Sequence, residues 1–142
     1  MSIIALFMVL AAAAAPAPAT TAASGKAVKV SPSRYGPVLF DGKGRALYLF
    51  TKEKTSKSRC YGDCARAWPP FISSGKPRAG KGADQDLLGT TKRRNGKRQV
   101  TYNGHPLYYY VADTQAGQIT CQDVYEFGGT WLVVDRRGRA VH

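Results

Sequence analysis

Apolar residues in this chain fall in short runs of a few positions each, separated by turns rich in glycine, asparagine and aspartate. Such runs predict strands joined by tight hairpins. Val38-Leu39-Phe40 leads into Asp41-Gly42-Lys43-Gly44, and Ala46 to Phe50 returns. Thr90 to Arg94 leads through Asn95-Gly96 to Lys97 to Tyr102, and Val100-Thr101-Tyr102 leads through Asn103-Gly104 to Leu107 to Val111. Trp131 to Val134 turns through Asp135-Arg136-Arg137-Gly138 into Arg139-Ala140-Val141. These hairpins predict an all-β domain, a small sandwich or barrel. The exception is the stretch from Cys60 to Trp68, where Tyr61 to Trp68 reads as a short helix stopped by Pro69-Pro70.

Strand alternation puts Tyr48 and Phe50 on one face and Leu47 and Leu49 on the other. Likewise Tyr108 and Tyr110 oppose Leu107, Tyr109 and Val111. Strands apolar on both faces need cover on both, which favours burial over an open aromatic platform for a ligand. The chain also repeats itself: FDGKGRALYLFTKE, from Phe40, parallels YNGHPLYYYVAD, from Tyr102. A cysteine and then a tryptophan follow each copy, Cys60 with Trp68 and Cys121 with Trp131. Two copies predict one duplicated domain with a pseudo-two-fold, since solenoid arrays need more repeats. The expected organisation is a linker over 20–34 that ends in a short strand, then one β domain over 35–142. Within it lie repeat one at about 35–72, a loop at 73–86 and repeat two at about 87–138.

The first 25 residues carry no charge. They open with the apolar run IIALFMVL, too short for the ~20 residues of a bilayer-spanning helix, and end in small residues. Residues 1–19 therefore read as a secretory signal cut after Ala17-Pro18-Ala19, with Ala23 a second site. The usual positive leading segment is missing, so a start further upstream is expected. Pro16 and Pro18 argue against a core helix there. The expected product is periplasmic or secreted, with no transmembrane segment after cleavage. All 21 Lys and Arg follow the signal, so the exported protein keeps the net charge of +12. Outside the cytoplasm that charge favours anionic cell-envelope components as partners and disfavours nucleic acid; a solvated basic face is the plainer reading.

Three basic clusters stand out. Lys92, Arg93, Arg94, Lys97 and Arg98 crowd the Asn95-Gly96 turn and are the candidate anion-binding residues. Lys52, Lys54, Lys57 and Arg59 form a second cluster, and Arg136, Arg137 and Arg139 a third. Repulsion among them would be relieved by an anionic surface.

Other chemistry is sparsely provided for. In an exported protein the three cysteines are expected to form one disulfide, with three pairings open and one thiol left over. Cys60-x3-Cys64 lacks the C-x-x-C spacing of redox proteins, although a periplasmic redox or metal/haem-carrying domain is the alternative reading. Its ligands would be His105 and Cys121, both weak candidates; His105 sits in a polar turn and His142 is terminal. Both methionines lie in the predicted signal, which weakens soft-ligand copper sites. No cofactor is predicted. H-E-x-x-H, G-x-S-x-G and phosphate-loop motifs are absent, so no catalytic residue is assigned.

The repeated segments resemble the bacterial secreted repeat of unknown function, a family also described as predicted lipoproteins with a Tyr-x-aromatic-x-x-Asp motif. Tyr108, Tyr110 and Asp113 match the motif, as do Tyr48, Phe50 and Glu53, with Glu in place of Asp. CYGDCARAWPPF and RQVTYNGHPLYYY are also similar to that family's wording. The resemblance covers nearly all of residues 35–138 and implies an exported, mostly β domain without an established function. It also implies the pairing Cys60–Cys64, which leaves Cys121 free. No cysteine near the cleavage point offers a lipid attachment site, so the lipoprotein label does not carry over. The motif acids fall where strands exit into loops, where a carboxylate can accept backbone N–H groups and fix the turn. A calcium site would need about six to eight oxygens, and no acidic cluster supplies them.

Overall fold

The computed structural model describes residues 11–16 and 25–142. The proposed cleavage points after Ala19 and Ala23 lie outside the described residues. The fold is nearly all β, with three small sheets built from nine strands among the described residues. β1 (Ala27–Ser31) lies between β2 (Val38–Asp41), antiparallel, and β4 (Arg78–Ala79), parallel. β3 (Tyr48–Phe50), β9 (Gly129–Val133) and β8 (Val124–Glu126) form a second antiparallel sheet in that order. β5 (Leu88–Lys92), β6 (Arg98–Tyr102) and β7 (His105–Pro106) form the third. A helix, α1 (Asp63–Ala67), and a 3-10 turn at Gln85–Leu87 complete the elements among the described residues.

The two-faced strands divide the interior into two cores. Val38, Phe40, Tyr48, Phe50, Tyr108, Trp131 and Val133 pack into one with Trp68 and the cysteines. Leu39, Leu47, Leu49, Leu107, Tyr109, Leu132 and Val134, their alternates in sequence, pack into the other with Phe71, Val100 and Tyr102. Tyr48, Phe50 and Tyr108 are thus buried and Tyr110 partly so, each strand serving as a wall between two apolar layers.

The two repeats meet about an approximate two-fold. Tyr48 and Tyr108 form an antiparallel bridge with both backbone hydrogen bonds made, at 2.9 and 3.0 Å. Trp68 and Trp131 stack with centroids 4.1 Å apart and planes 5° from parallel. Tyr48 meets Trp68 edge-on at 5.1 Å, and Tyr108 meets Trp131 edge-on at the same distance. Offset and edge-to-face arrangements of this kind add to the area these rings bury.

Four details differ from the sequence expectations. The short strand expected at the end of the linker is β1, but it is packed rather than free, with Val28 fully buried, so the packed domain begins before residue 35. Leu107 to Val111 forms no regular strand beyond β7, because its backbone divides its hydrogen bonds among Val100, Tyr48, Pro69 and Ala67. The Asn95-Gly96 turn is longer than two residues: Arg93 N–H bonds the Lys97 carbonyl, and Gly96 takes φ +83°. That is a type I turn closed by a glycine bulge, and the same hydrogen-bond pattern closes 41–45 and 135–139. Among the five predicted anion-binding cations, Arg93 is buried while the other four are exposed.

Candidate functional site

The residues of the repeated motif sit at the dyad, and each tyrosine serves the opposite repeat. Tyr48 O–H donates to Asp113 Oδ2 at 2.5 Å, and Tyr108 O–H donates to Glu53 Oε2 at 2.5 Å. Each carboxylate also holds its own loop, as the sequence suggests. Glu53 Oε2 accepts the Arg59 N–H at 2.8 Å, and Asp113 Oδ1 accepts the N–H and hydroxyl of Thr120. The next residue in each loop is the repeat's cysteine, Cys60 or Cys121. Phe50 stacks on Trp131 at 4.1 Å, and Tyr110 lies tilted against Trp68 at 4.6 Å. Burial raises Tyr48 and Tyr108 above the ordinary phenol range, so both hydroxyls remain donors. These six residues join the two halves into one domain. A single repeat would leave a buried tyrosine and a buried acid without partners.

Four further acids are engaged in the same way. Asp41 accepts the N–H groups of Lys43 and Arg45 and the Tyr109 hydroxyl. Asp135 accepts those of Arg137 and Arg139, Asp84 caps the 3-10 turn, and Glu126 accepts the Trp68 indole N–H. Among the described residues only two ion pairs form, Asp63 with Arg66 and Asp135 with Arg139. Both are local and at least partly exposed. Few of the 21 Lys and Arg therefore have a carboxylate in direct contact.

Five of these cations gather in one groove. Lys52, Lys54, Lys57, Arg59, Tyr61 and Arg94 line a pocket of 390 Å³. Lys52, Arg59, Tyr61 and Arg94 also line an adjoining pocket of 450 Å³ that extends to Phe127, together with Cys64 and Asp63, which pairs with Arg66. The two make one groove with five cations along it. Its floor is ordered by the Tyr61 ring, with the Arg94 guanidinium 4.1 Å from its centroid and that of Arg93 4.3 Å away. Arg93 supports the groove rather than lining it. Its guanidinium donates to the Cys60 carbonyl at 2.7 Å and to Gln99 Oε1 at 2.8 Å. Of the hairpin cations predicted to bind anions, only Arg94 enters this groove. Lys92 and Lys97 are exposed, and Arg98 lines a separate cleft with Ser73 to Pro77. The signal that would have found the site is the adjacency of Arg94 to the 52–59 loop, which only the fold supplies.

Cys60 and Cys64 form a disulfide across the start of α1, and Cys121 is a buried free thiol. Burial pushes that thiol up, away from the thiolate form that reacts or binds metal. His105 lies apart from it, in a small pocket with Glu53 and Lys54, and burial lowers its imidazole. No group of three metal-ligating side chains comes together among the described residues. His142 is exposed at the chain end. Among the described residues, no helix is long and apolar enough to cross a membrane.

The model of the family described as secreted repeat of unknown function matches twice, over residues 29–71 and 89–135. This chain belongs to that family. Each matched span of the secreted repeat carries one tyrosine, one acid and one tryptophan of the dyad. The unmatched residues between the spans correspond to the connecting loop that holds β4 and the 3-10 turn. No curated protein and no solved structure matches the chain.

Proposed function

We propose that this secreted repeat protein is a non-catalytic envelope module, periplasmic or surface-exposed, that docks to anionic components through the Lys52–Arg94 groove. The observation that carries the reading is the convergence of five cations on one groove whose one acid, Asp63, is paired with Arg66. Lys52, Lys54 and Lys57 supply mobile point charges. Arg59 and Arg94 supply planar forks suited to carboxylate or phosphate, and Tyr61 pre-positions the second of them. The burial of Tyr48, Phe50, Tyr108 and Cys121 favours this reading over ligand transport in the interior or redox cycling.

Binding of the exported protein to soluble polyphosphate, followed across ionic strength, tests the proposal. Exposed charges are screened within ~8 Å at physiological salt, so affinity should fall steadily as salt rises. The triple variant Lys52→Glu, Lys57→Glu, Arg94→Glu should abolish it. Salt-independent binding, or binding that survives the charge reversal, would overturn the reading.

A further inference from the structure

The groove ends at a turn whose sequence is wrong for its shape. β8 and β9 are joined by two residues, Phe127 and Gly128, between the paired Glu126 and Gly129. Both take left-handed backbone angles, φ +56° and +86°, as a type I′ hairpin requires. The first position of such a turn favours asparagine, and a bulky aromatic there is a backbone outlier. The molecule contains its own comparison. Between Tyr102 and His105 the same two-residue turn is made by Asn103 and Gly104, with φ +51° and +77°. Phe127 is therefore not explained by the turn it occupies.

Nor is it explained by burial. Phe127 is 41% exposed and Tyr125, two residues before it, 72%. With Val111 they are the exposed large hydrophobic residues of the described chain. Their neighbours on β8 turn inward: Val124 packs on the first core, and Glu126 accepts the Trp68 indole. The hairpin thus holds an aromatic tip outward while its root is fixed in the core. That tip stands beside cations, since Phe127 lines the groove with Lys52, Arg59 and Arg94.

We infer that this tip and groove together form a docking surface for an anionic lipid bilayer, with Phe127 and Tyr125 entering the interface and the cations meeting lipid phosphates. Aromatic rings favour the headgroup level, where one side is apolar and the other wet. Basic side chains beside them gain from the negative surface potential of anionic lipid. A purely electrostatic site for a soluble polyanion would not need an exposed phenylalanine, held at the cost of backbone strain. The inference rests on the groove reading above and narrows its partner to lipid.

The test uses vesicles of phosphatidylcholine with and without phosphatidylglycerol, and soluble polyphosphate as a second probe. The exported protein should bind the phosphatidylglycerol vesicles and bind neutral ones weakly. Phe127→Asn places the residue that the turn prefers, so folding is preserved; it should lower vesicle affinity about tenfold or more and polyphosphate affinity far less, since no charge is removed. Phe127→Trp should show emission quenched by lipids brominated along their acyl chains. If Phe127→Asn binds vesicles as tightly as the wild type, or bromolipids leave Phe127→Trp unquenched, the lipid inference falls and the groove reading stands. Should the wild type bind neither vesicles nor polyphosphate, both fall.

Discussion

Exchange of hydroxyl and carboxylate across the dyad can be read out as coupling energies. Asp113 is 1% exposed, and Tyr48 is the donor to its Oδ2, while Thr120 serves Oδ1. Tyr48→Phe removes that donor and leaves a buried carboxylate oxygen unpaired. A hydrogen bond to a charged group contributes about 1.5–3 kcal/mol, so the variant should lose about 2 kcal/mol. Asp113→Ala leaves the Tyr48 hydroxyl without its acceptor and also releases the Thr120 loop. The double variant loses the shared bond once only, so a cycle should return a coupling of about 1.5–3 kcal/mol. The same-repeat pair Tyr48 and Glu53 shares no hydrogen bond, so it should be additive to within about 0.5 kcal/mol. Denaturant unfolding followed by fluorescence of Trp68 and Trp131, with the disulfide intact, measures all of these. Each cost is well inside the roughly 5–15 kcal/mol that holds a domain together, so the variants remain measurable. Coupling confined to same-repeat pairs, or absent across repeats, would refute the exchanged arrangement.

Glu53 is pushed by burial up to about 7, despite the Tyr108 hydroxyl and the Arg59 N–H. A carboxyl raised on folding from its ordinary value of 4.5 lends stability that is full below that value and is lost as pH rises through about 7. The difference amounts to about 3 kcal/mol, and Glu53→Gln should flatten this part of a stability–pH curve measured by urea unfolding. Removing the disulfide as Cys60→Ser, Cys64→Ser frees only a short loop, so thermal melting should report a loss of about 2 kcal/mol. In the folded wild type Cys121 should resist thiol reagents and react only on unfolding, as mass spectrometry of labelled protein would detect. Arg93→Ala should cost about 2–3 kcal/mol, because the Cys60 carbonyl loses its charged donor, whereas Lys92→Ala and Lys97→Ala should stay within about 0.5 kcal/mol by the same unfolding assay.

The fold was legible where local chemistry decides it. The alternation of Tyr48 and Phe50 with Leu47 and Leu49 requires two apolar layers, and these residues divide between two cores as that alternation demands. The duplication announced a dyad, and the motif acids do fix their own loops. What the pattern could not show is that each tyrosine reaches the other repeat's acid. Within one copy, Tyr48 and Glu53 look like partners because they are close in sequence. Only the antiparallel meeting of Tyr48 with Tyr108 turns each hydroxyl toward the opposite loop.

The same distinction separates the charges. Five cations around Asn95-Gly96 are indistinguishable as letters, yet register fixes Arg93 inward, two residues beyond Thr91, which pairs with Gln99. Thr91, Arg93 and Gln99 are polar, so no hydrophobic alternation flags that face. A guanidinium can be buried there because a carbonyl, an amide oxygen and an aromatic ring meet it, and Glu53 lies near enough to feel its charge. Once Arg93 is taken into the structure and most of the acids into turns and the dyad, few of the remaining cations apart from Arg66 and Arg139 have a carboxylate in contact. Their repulsion is relieved in full only from outside. The groove from Lys57 to Phe127 concentrates that unmet charge, so the commitment of the acids to structure is what leaves this face open to an anionic partner.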